Sequence, residues 1–392
     1  MRCPTLALAF LALAAALPAQ TAGLRWGPVT VGGDADLIWQ GYPSFAAAYS
    51  GPLSLPAAGE FHNTRVFTLS TSTALAPGWC LELDVQAANG LALGGATGLA
   101  GITNLDVTHN LAPNLLPQVY LARLYLERSA GGGVVRVGRL DLTDEFDANA
   151  ALGDDHDEFM NWSFNTSPAW DYAADTRGYT DAVEWEAGPW RMAYALLPVT
   201  VNGMRLDWLS SQMVIQRDFH WHRITIRPLA YAEHAPLGRY ATAGLNVEGD
   251  HRWRWKPGGG LSADARLTRH LRAGIRLGVN DDQVEEYAYT EAGNTASAGL
   301  AWQGGASRWG MAVASNGISA AHAAYLARGG EGFLLGDGGL AYGREWISEA
   351  YYLRRLRPHV QWGPDLQLIG NPGYNRARGP VWVFGLRMHA SF

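Results

Sequence analysis

The sequence predicts an all-β protein, a transmembrane antiparallel β-barrel of about 16 strands, with 18 strands also compatible with the length. Charged residues make up 17% of the 392 residues and hydrophobic residues 48%, which is little charge for a soluble surface of this size. Apolar and polar residues alternate with period two along much of the chain. Gly, Trp and Tyr are abundant, at 47, 16 and 16 copies. These features favour strands that face lipid on one side and water on the other.

Composition also excludes several other classes of protein. The mean hydropathy of -0.09 is too low for a bundle of membrane helices. After the first 20 positions there is no apolar run of about 18 residues, the length that a transmembrane helix needs. The net charge is -6, and no basic cluster is present. The sequence therefore predicts that nucleic acid is not a partner.

The N-terminus predicts export. Met1 and Arg2 give a positive start, residues 6–17 are apolar, and small residues around Ala19 are typical of a cleavage site. We therefore expect a cleaved signal peptide over residues 1–19 and a barrel domain over residues 20–392, that is 392 − 19 = 373 residues. Cys80 would then be the single cysteine, so no intrachain disulfide can form. Closure of a large sheet in the bacterial outer membrane would stabilise such a chain.

Two segments show the alternation most clearly. Between residues 271 and 279 the odd positions are apolar, whereas Arg272 and Arg276 occupy even positions. Between residues 382 and 392 the apolar residues are at even positions and end with Phe392. The apolar phase is predicted to face outer-membrane lipid, and the C-terminal aromatic strand is predicted to be read by the outer-membrane assembly machinery. Aromatic girdles are predicted from residues near strand ends, namely Trp190, Trp253, Trp309, Tyr351 and Tyr352.

Strand arithmetic indicates a barrel with a water-filled lumen. Sixteen strands of about ten residues use roughly 160 positions and leave about 210 for short turns on one side and long loops on the other. A barrel filled by its own side chains would need far fewer residues. The protein is therefore predicted to conduct a solute.

The longest segment that breaks the alternation is the candidate constriction loop, residues 138–179. It contains 10 of the 36 acidic residues, together with several Asn and Trp residues. Loops or side chains must narrow a wide barrel before it becomes selective. We expect this loop to fold into the lumen, the alternative being an ordinary solvated loop outside the barrel.

The residues of this loop and of the lumen phase are suited to carbohydrates. Sugar hydroxyls accept hydrogen bonds from Arg and Asn and donate them to Asp and Asn. The C–H faces of sugars stack on aromatic rings. Each candidate could instead belong to a structural network that braces the wall. The candidates for the channel lining are Arg136, Arg139, Asp141, Asp144, Asn149, Trp162, Asn165, Trp170, Asp171 and Arg177, and later in the chain Arg272, Arg276 and Glu349.

Several strings resemble the carbohydrate-selective porins of Gram-negative outer membranes, the OprB-type family. They are Gly138–Asp141, Phe146–Asn149, Phe159–Trp162, Pro168–Tyr172, Asn316–Ser319, Gly336–Gly338, Glu349–Tyr352, Asp365–Gln367, Asn371–Asn375 and Arg378–Pro380. The resemblance implies a sixteen-stranded barrel in which inward loops form an eyelet for mono- or oligosaccharides. It also implies that Arg and acidic residues line the eyelet, which adds Glu184 and again favours Glu349.

Other patterns give alternatives. Asp154, Asp155 and Asp157 could form a cation site, although their spacing fits no calcium loop and a solvated loop tip is the simpler interpretation. His220 and His222 could bind zinc, but no third ligand can be named. No cofactor is expected. A glycoside hydrolase using Asp141 and Asp144, or a non-conducting structural barrel or adhesin, remains the rival function. Association of barrels into a homo-oligomer is left open.

Overall fold

The computed structural model describes residues 23–110, 119–153, 156–198, 206–247, 252–287 and 291–392. The predicted signal peptide lies outside these residues, as do Asp154 and Asp155. No helix in the described ranges is long and apolar enough to cross a membrane.

Eighteen strands are found in the described part of the chain. Sixteen of them close into one antiparallel barrel, because the last strand, β18, pairs with β2, and β9 pairs with β11. The two short strands, β1 and β10, add to the edges of β2 and β11. The strands are β1 Leu24–Trp26, β2 Val29–Tyr42, β3 Glu60–Ala76, β4 Trp79–Gly90, β5 Val119–Ala130, β6 Gly133–Leu140, β7 Thr180–Ala187, β8 Trp190–Pro198, β9 Leu206–Arg217, β10 Phe219–Trp221, β11 Ile224–Leu237, β12 Arg252–Arg266, β13 Leu271–Asn280, β14 Asn294–Gly304, β15 Ser307–Gly317, β16 Glu345–Arg357, β17 Val360–Gly370 and β18 Val381–Ser391. The prediction of a sixteen-stranded barrel is confirmed.

Alternation along the strands sorts side chains between the outside and the lumen, as the sequence predicted. On β13, Ile275 and Leu277 are 45% and 46% exposed, whereas Arg276 between them is fully buried. On β18, Trp382 and Phe384 are exposed and Val383 is buried. The apolar phase therefore forms the outer wall, and closure of the sheet allows the backbone groups of neighbouring strands to pair with each other.

The barrel has one end with short turns and one end with long connections. Short turns join β3 to β4, β5 to β6 and β7 to β8, whereas residues 43–59, 141–179 and 318–344 lie between strands at the other end. We call these the turn end and the loop end. In bacterial barrels the short turns face the periplasm and the longer loops face the exterior.

Exposed tryptophans mark both ends of the outer wall. Trp79 and Trp190 begin strands at the turn end, and Trp253 and Trp382 begin strands at the loop end. This arrangement is typical of the aromatic girdles of membrane barrels. Tyr351 does not belong to a girdle, contrary to the sequence-based prediction, because it faces the lumen and packs edge-on against Phe159, with ring centroids 4.9 Å apart.

Two of the connections fold inward and contribute to the core of the molecule. The β6–β7 connection, residues 141–179, is called the inward loop, and it is hydrogen-bonded to strands on several sides of the barrel. Part of the β4–β5 connection also enters, because Glu345 on β16 accepts hydrogen bonds from the N–H groups of Ala100 and Gly101. The Ala/Gly/Leu-rich composition of this second segment suits such close packing, since small residues allow the backbone to approach the wall.

Candidate functional site

The candidate lining residues fall into three groups, of which the first fixes the inward loop to the wall. Arg276 is fully buried, and its Nε lies 2.8 Å from the Asp147 carboxylate. Its Nη2 donates to the carbonyl oxygens of Asp147 and Leu152, at 2.7 and 3.3 Å. The side chain of Glu349 accepts from the N–H groups of Met160 and Asn161, at 2.6 and 3.0 Å. Arg276 and Glu349 are thus loop anchors, not channel lining.

Asn149 anchors the loop on neighbouring strands. Its amide donates to the hydroxyl of Ser262 at 3.1 Å and to the carbonyl of Ala263 at 3.2 Å. The lumen face of β13 admits the loop here because it carries glycines between its arginines: a Cβ at Gly274 would lie 2.4 Å from Oδ1 of Asn149. Asn149 therefore also serves the packing of the loop.

The only lysine of the sequence forms a further anchor. Lys256 and Asp171 are both buried, and Lys256 Nζ lies 2.9 Å from the Asp171 carboxylate. Lys256 also pairs with Glu286 of the β13–β14 connection, and burial raises the pKa of Glu286 well above its ordinary range. Asp171 additionally accepts from the N–H of Tyr287 at 2.7 Å. This cluster joins the inward loop to the wall and to a second loop.

The second group forms the interior of the inward loop itself. Trp162 and Trp170 are 1% and 2% exposed, and both pack against the ring of Tyr172. The amide of Asn165 donates to the carbonyl of Phe159 at 2.8 Å. The prediction that Trp162 and Trp170 stack on a sugar is therefore wrong for this structure, because their ring faces are covered by the loop.

The third group consists of charged side chains along β5 to β8 that remain partly exposed, and we call the space that they face the passage. Arg136 lies 3.0 Å from Glu127, 3.1 Å from Glu145 and 3.4 Å from Glu184. Arg191 continues the row, because it lies 3.3 Å from Glu186. The row ends at Asp218, Arg227 and Asp264 on the neighbouring strands. We call this row of ion pairs the charge ladder. It contains three arginines and six carboxylates.

Arg123 and Asp144 form the bridge between the wall and the inward loop. Nε and Nη2 of Arg123 donate to the two oxygens of Asp144 at 2.8 and 2.7 Å, and Nη1 donates to Asp84 at 3.1 Å. The side chain of Asp144 is 43% exposed and that of Arg123 is 22% exposed. The pair is therefore a bidentate ion pair at the edge of the passage, where a solute can reach it.

Two further arginines, each beside an aromatic ring, adjoin this bridge towards the loop end. Arg139 lies 2.5 Å from the Asp175 carboxylate and 5.4 Å from the centre of the Tyr179 ring. Arg177 lies 3.6 Å from the centre of the Tyr120 ring. Burial raises the pKa of Tyr179 well above its ordinary range, so its hydroxyl stays protonated and donates to Gln86 at 3.1 Å. We call Tyr120, Arg123, Arg139, Asp144, Asp175, Arg177 and Tyr179 the eyelet cluster.

Asp141 lies at the start of the inward loop, beside the eyelet cluster. Its side chain accepts from the N–H and the hydroxyl of Thr143, both at 2.8 Å, and so caps the short turn that follows β6. Burial raises the pKa of Asp141 to about 7, and the negative charge of Asp144 is the second cause. The charge of this part of the passage therefore changes near neutral pH.

The remaining candidates lie at the turn end. Arg272 is exposed and donates to the carbonyl of Ala150 at 3.2 Å. Asp157 forms an ion pair with Arg308 of β15, so its carboxylate serves to fix the loop to the wall. This pairing explains the acidic residue at position 157 without a bound cation.

Sequence reasoning missed several members of the eyelet cluster, above all Arg123. Along β5 the exposed apolar residues are Val119, Leu121 and Leu124, so the spacing changes from two to three. The register shifts at this point, where Asp84 pairs with Arg123 and Val85 pairs with Leu121. This β-bulge turns Arg123 into the lumen. The changed spacing was the available signal.

Comparisons with known proteins give the class of the molecule first. The structure of Pseudomonas putida OprB at high pH aligns with a TM-score of 0.69, over 93% of this chain and 94% of that chain, at 14% identity. The outer membrane channel DcaP of Acinetobacter baumannii aligns with a TM-score of 0.57, over 95% of this chain and all of that chain, at 10% identity. The fold is therefore that of the outer-membrane porins.

A sequence match covers the C-terminal part of the chain. Residues 228–392 match the carbohydrate-selective porin OprB family. The resemblance noted in the sequence is thereby confirmed, and the fold and this match together support a location in the outer membrane. No curated protein matches the chain significantly.

Proposed function

We propose that the barrel lets carbohydrates diffuse across the outer membrane of a Gram-negative bacterium, along the passage between the inward loop and strands β5 to β8. One observation carries the proposal. The charged side chains of this passage, such as Arg123 and Asp144, remain partly exposed, whereas Lys256, Arg276 and Glu349 on the far wall are buried beneath the loop.

The chemistry of the passage fits an uncharged solute with many hydroxyl groups. Arg123 and Arg139 of the eyelet cluster each lie beside a carboxylate, so donors and acceptors are presented together. A sugar hydroxyl can donate to one partner and accept from the other, and it loses little when it exchanges water for these groups. Because positive and negative charges alternate, an ion of either sign meets attraction and repulsion in turn. This favours neutral polyols over ions of similar size.

The inward loop would set the width of this passage. Its partly exposed edge is held against the wall, because Glu145 pairs with Arg136 of the charge ladder and Asp144 pairs with Arg123. Export would require removal of residues 1–19, and membrane assembly would use the C-terminal strand. The backbone of Phe392 is paired with Gly33 on β2, so the terminal residue helps to close the barrel. Whether barrels associate into homo-oligomers stays a prediction to test.

Liposome swelling with a panel of mono- and disaccharides tests the proposal. We expect liposomes that carry the folded protein to swell faster in sugar solutions than liposomes that carry heat-denatured protein. The swelling rate should fall as the size of the sugar increases. In planar bilayers the same protein should give stepwise current that added sugar blocks. Turnover of a glycoside would favour the hydrolase alternative, and absence of both current and turnover would favour the adhesin alternative.

A further inference from the structure

A cluster of two histidines and an aspartate lies at the seam of the barrel, where β18 pairs with β2. Asp36 is on β2, His389 is on β18, and His156 is in the inward loop. Nδ1 of His156 lies 2.7 Å from Oδ2 of Asp36, and Nδ1 of His389 lies 2.8 Å from Oδ1 of the same carboxylate. The possible ligand atoms of the three residues all lie within 4.8 Å of one another.

A second carboxylate adjoins this cluster. Asp34 precedes Asp36 by two residues on β2, so both side chains point to the lumen, and Asp34 interacts electrostatically with both imidazoles. Its Oδ1 is buried and has no hydrogen-bond partner among the described residues. A buried carboxylate oxygen without a partner is costly, and a cation beside it would remove the cost.

Charge balance favours a divalent cation here. Two carboxylates supply two negative charges within a largely buried site. Two imidazolium ions could neutralise them, but the rings of His156 and His389 are only 5.2 Å apart, and like charges at this distance repel. One divalent cation held by two neutral imidazoles neutralises the same charge without that repulsion.

We propose that Asp36, His156 and His389, with Asp34 beside them, bind a divalent transition-metal ion, for which zinc is the best match. Imidazole nitrogen and carboxylate oxygen are the usual non-sulfur ligands of zinc. Each imidazole binds through Nδ1 and keeps its proton on Nε2. The ion links the inward loop to β2 and β18, the two strands of the barrel seam.

The geometry requires only a small adjustment. With zinc at about 2.0–2.2 Å from each ligand atom, neighbouring ligand atoms of a tetrahedral site lie roughly 3.3 Å apart. The present Nδ1 to oxygen distances of 2.7 and 2.8 Å therefore need to lengthen by about half an ångström. The His156 side chain is 42% exposed and can move, and a cavity of about 200 Å³ beside His389 and Asp157 provides a route for the ion.

Zinc titration of the chelator-treated, refolded barrel in detergent tests the site, with calorimetry as the readout. We expect one site whose affinity falls by about 10- to 100-fold or more in His156→Gln and in His389→Gln, since changes even behind the ligands of metal sites have effects of this size. Cobalt in place of zinc should give ligand-field absorption that the same variants lose.

The matched control is the double variant His220→Gln/His222→Gln. These exposed histidines at the turn end are the pair that the sequence alone suggests for zinc. We expect the control to bind zinc as the unaltered protein does. Unchanged affinity in both seam variants, or loss of binding in the control alone, would overturn the proposal.

A measurement on the unaltered protein guards against variants that do not fold. Crystals soaked in zinc should show an anomalous-scattering peak between Asp36, His156 and His389. Absence of this peak at saturating zinc would overturn the proposal regardless of the behaviour of the variants. Sugar passage need not change for the site to exist, so the result does not depend on the proposed function.

Discussion

Single residues determine what the passage can bind, and Arg123 and Arg139 are each fixed by an acid. The guanidinium of Arg123 is held by Asp144 on one side and by Asp84 on the other. Bidentate pairing reduces the number of rotamers available to the long side chain. The donors that face the passage are therefore positioned before a solute arrives, so less conformational entropy is lost on binding.

Arg139 provides the first residue-scale prediction. Arg139→Ala removes the partner of Asp175 and the cation over the Tyr179 ring. We expect the sugar concentration for half block to rise about three- to tenfold, because a charged hydrogen bond in a partly solvated site is lost. Single-channel current in planar bilayers measures this concentration. Arg272→Ala removes an exposed arginine at the turn end and is the control; equal effects of both changes would remove Arg139 from the eyelet.

Asp141 provides a pH-dependent prediction. Its pKa is raised from 3.8 to about 7, so the folded protein holds a proton that the unfolded chain has already released between these pH values. Asp141 therefore stabilises the folded state most below pH 3.8, and this stabilisation is lost as the pH rises to about 7. Above pH 7 the eyelet gains a negative charge, and preference for cations should rise.

Reversal potentials between pH 6 and 8 measure this preference. We expect a step centred near pH 7 that Asp141→Asn abolishes. Glu331→Gln removes an acid from an exposed connection at the loop end and should leave the step in place. A step that persists in Asp141→Asn would assign the titration to another group.

At this scale, the sequence predicted the kinds of residue better than their positions. The sequence singled out Arg136, Arg139 and Asp144 because they precede or begin the acidic loop. Arg123 was missed because a bulge reverses the alternation of β5, and strict period two places it outside. Trp170 was assigned to the lining since composition does not show which ring faces are covered within a loop.

At the scale of elements, the inward loop behaves as a second core inside the barrel. It is fixed by Arg276 and Glu349 on separated strands and by Lys256 on a third. Buried ion pairs of this kind add little net stability, but removal of one partner is costly. The anchors therefore specify where the loop lies, and this position decides the width of the passage.

Lys256→Met tests this anchoring. The change leaves Asp171 and Glu286 buried without their cation, at a cost of about 3–5 kcal/mol that displacement of the loop can relieve. We expect larger and noisier single-channel conductance and weaker block by sugar. Arg266→Met is the control, because it removes an exposed positive charge at the other end of the same strand. Normal conductance in Lys256→Met would mean that the remaining anchors suffice.

The existence of the inward loop could be predicted, whereas its anchors could not. A long acidic and aromatic segment between strands already indicated a loop that needs partners. Which lumen residues provide them depends on how the loop crosses the barrel, and this is not written in local spacing. Lys256 and Asp171 are far apart in the chain and meet only because the loop crosses to β12.

At the scale of the whole molecule, closure of the sheet and alternation of apolar and polar residues explain why the same fold is found at such low sequence similarity. A closed antiparallel sheet satisfies its backbone whatever its side chains are, so lipid requires only an apolar outer phase. This is consistent with 14% identity beside a TM-score of 0.69 for Pseudomonas putida OprB. Strand number and facing were therefore predictable, while the width of the passage was set by loop contacts.

Ile275→Arg tests the facing of the whole wall. Ile275 lies midway along β13 and is exposed on the outer surface, so an arginine there faces the centre of the bilayer. The cost is about 2–4 kcal/mol at that depth. We expect a smaller folded fraction after refolding into vesicles, read from the band that shifts on gels only after boiling. Gln303→Arg places the same charge on the turn-end cavity, where water solvates it, and should fold normally. If both variants fold equally well, the outer phase does not contact lipid. If only Ile275→Arg fails to fold, the cause is the position of the charge on the outer wall and not the added charge itself.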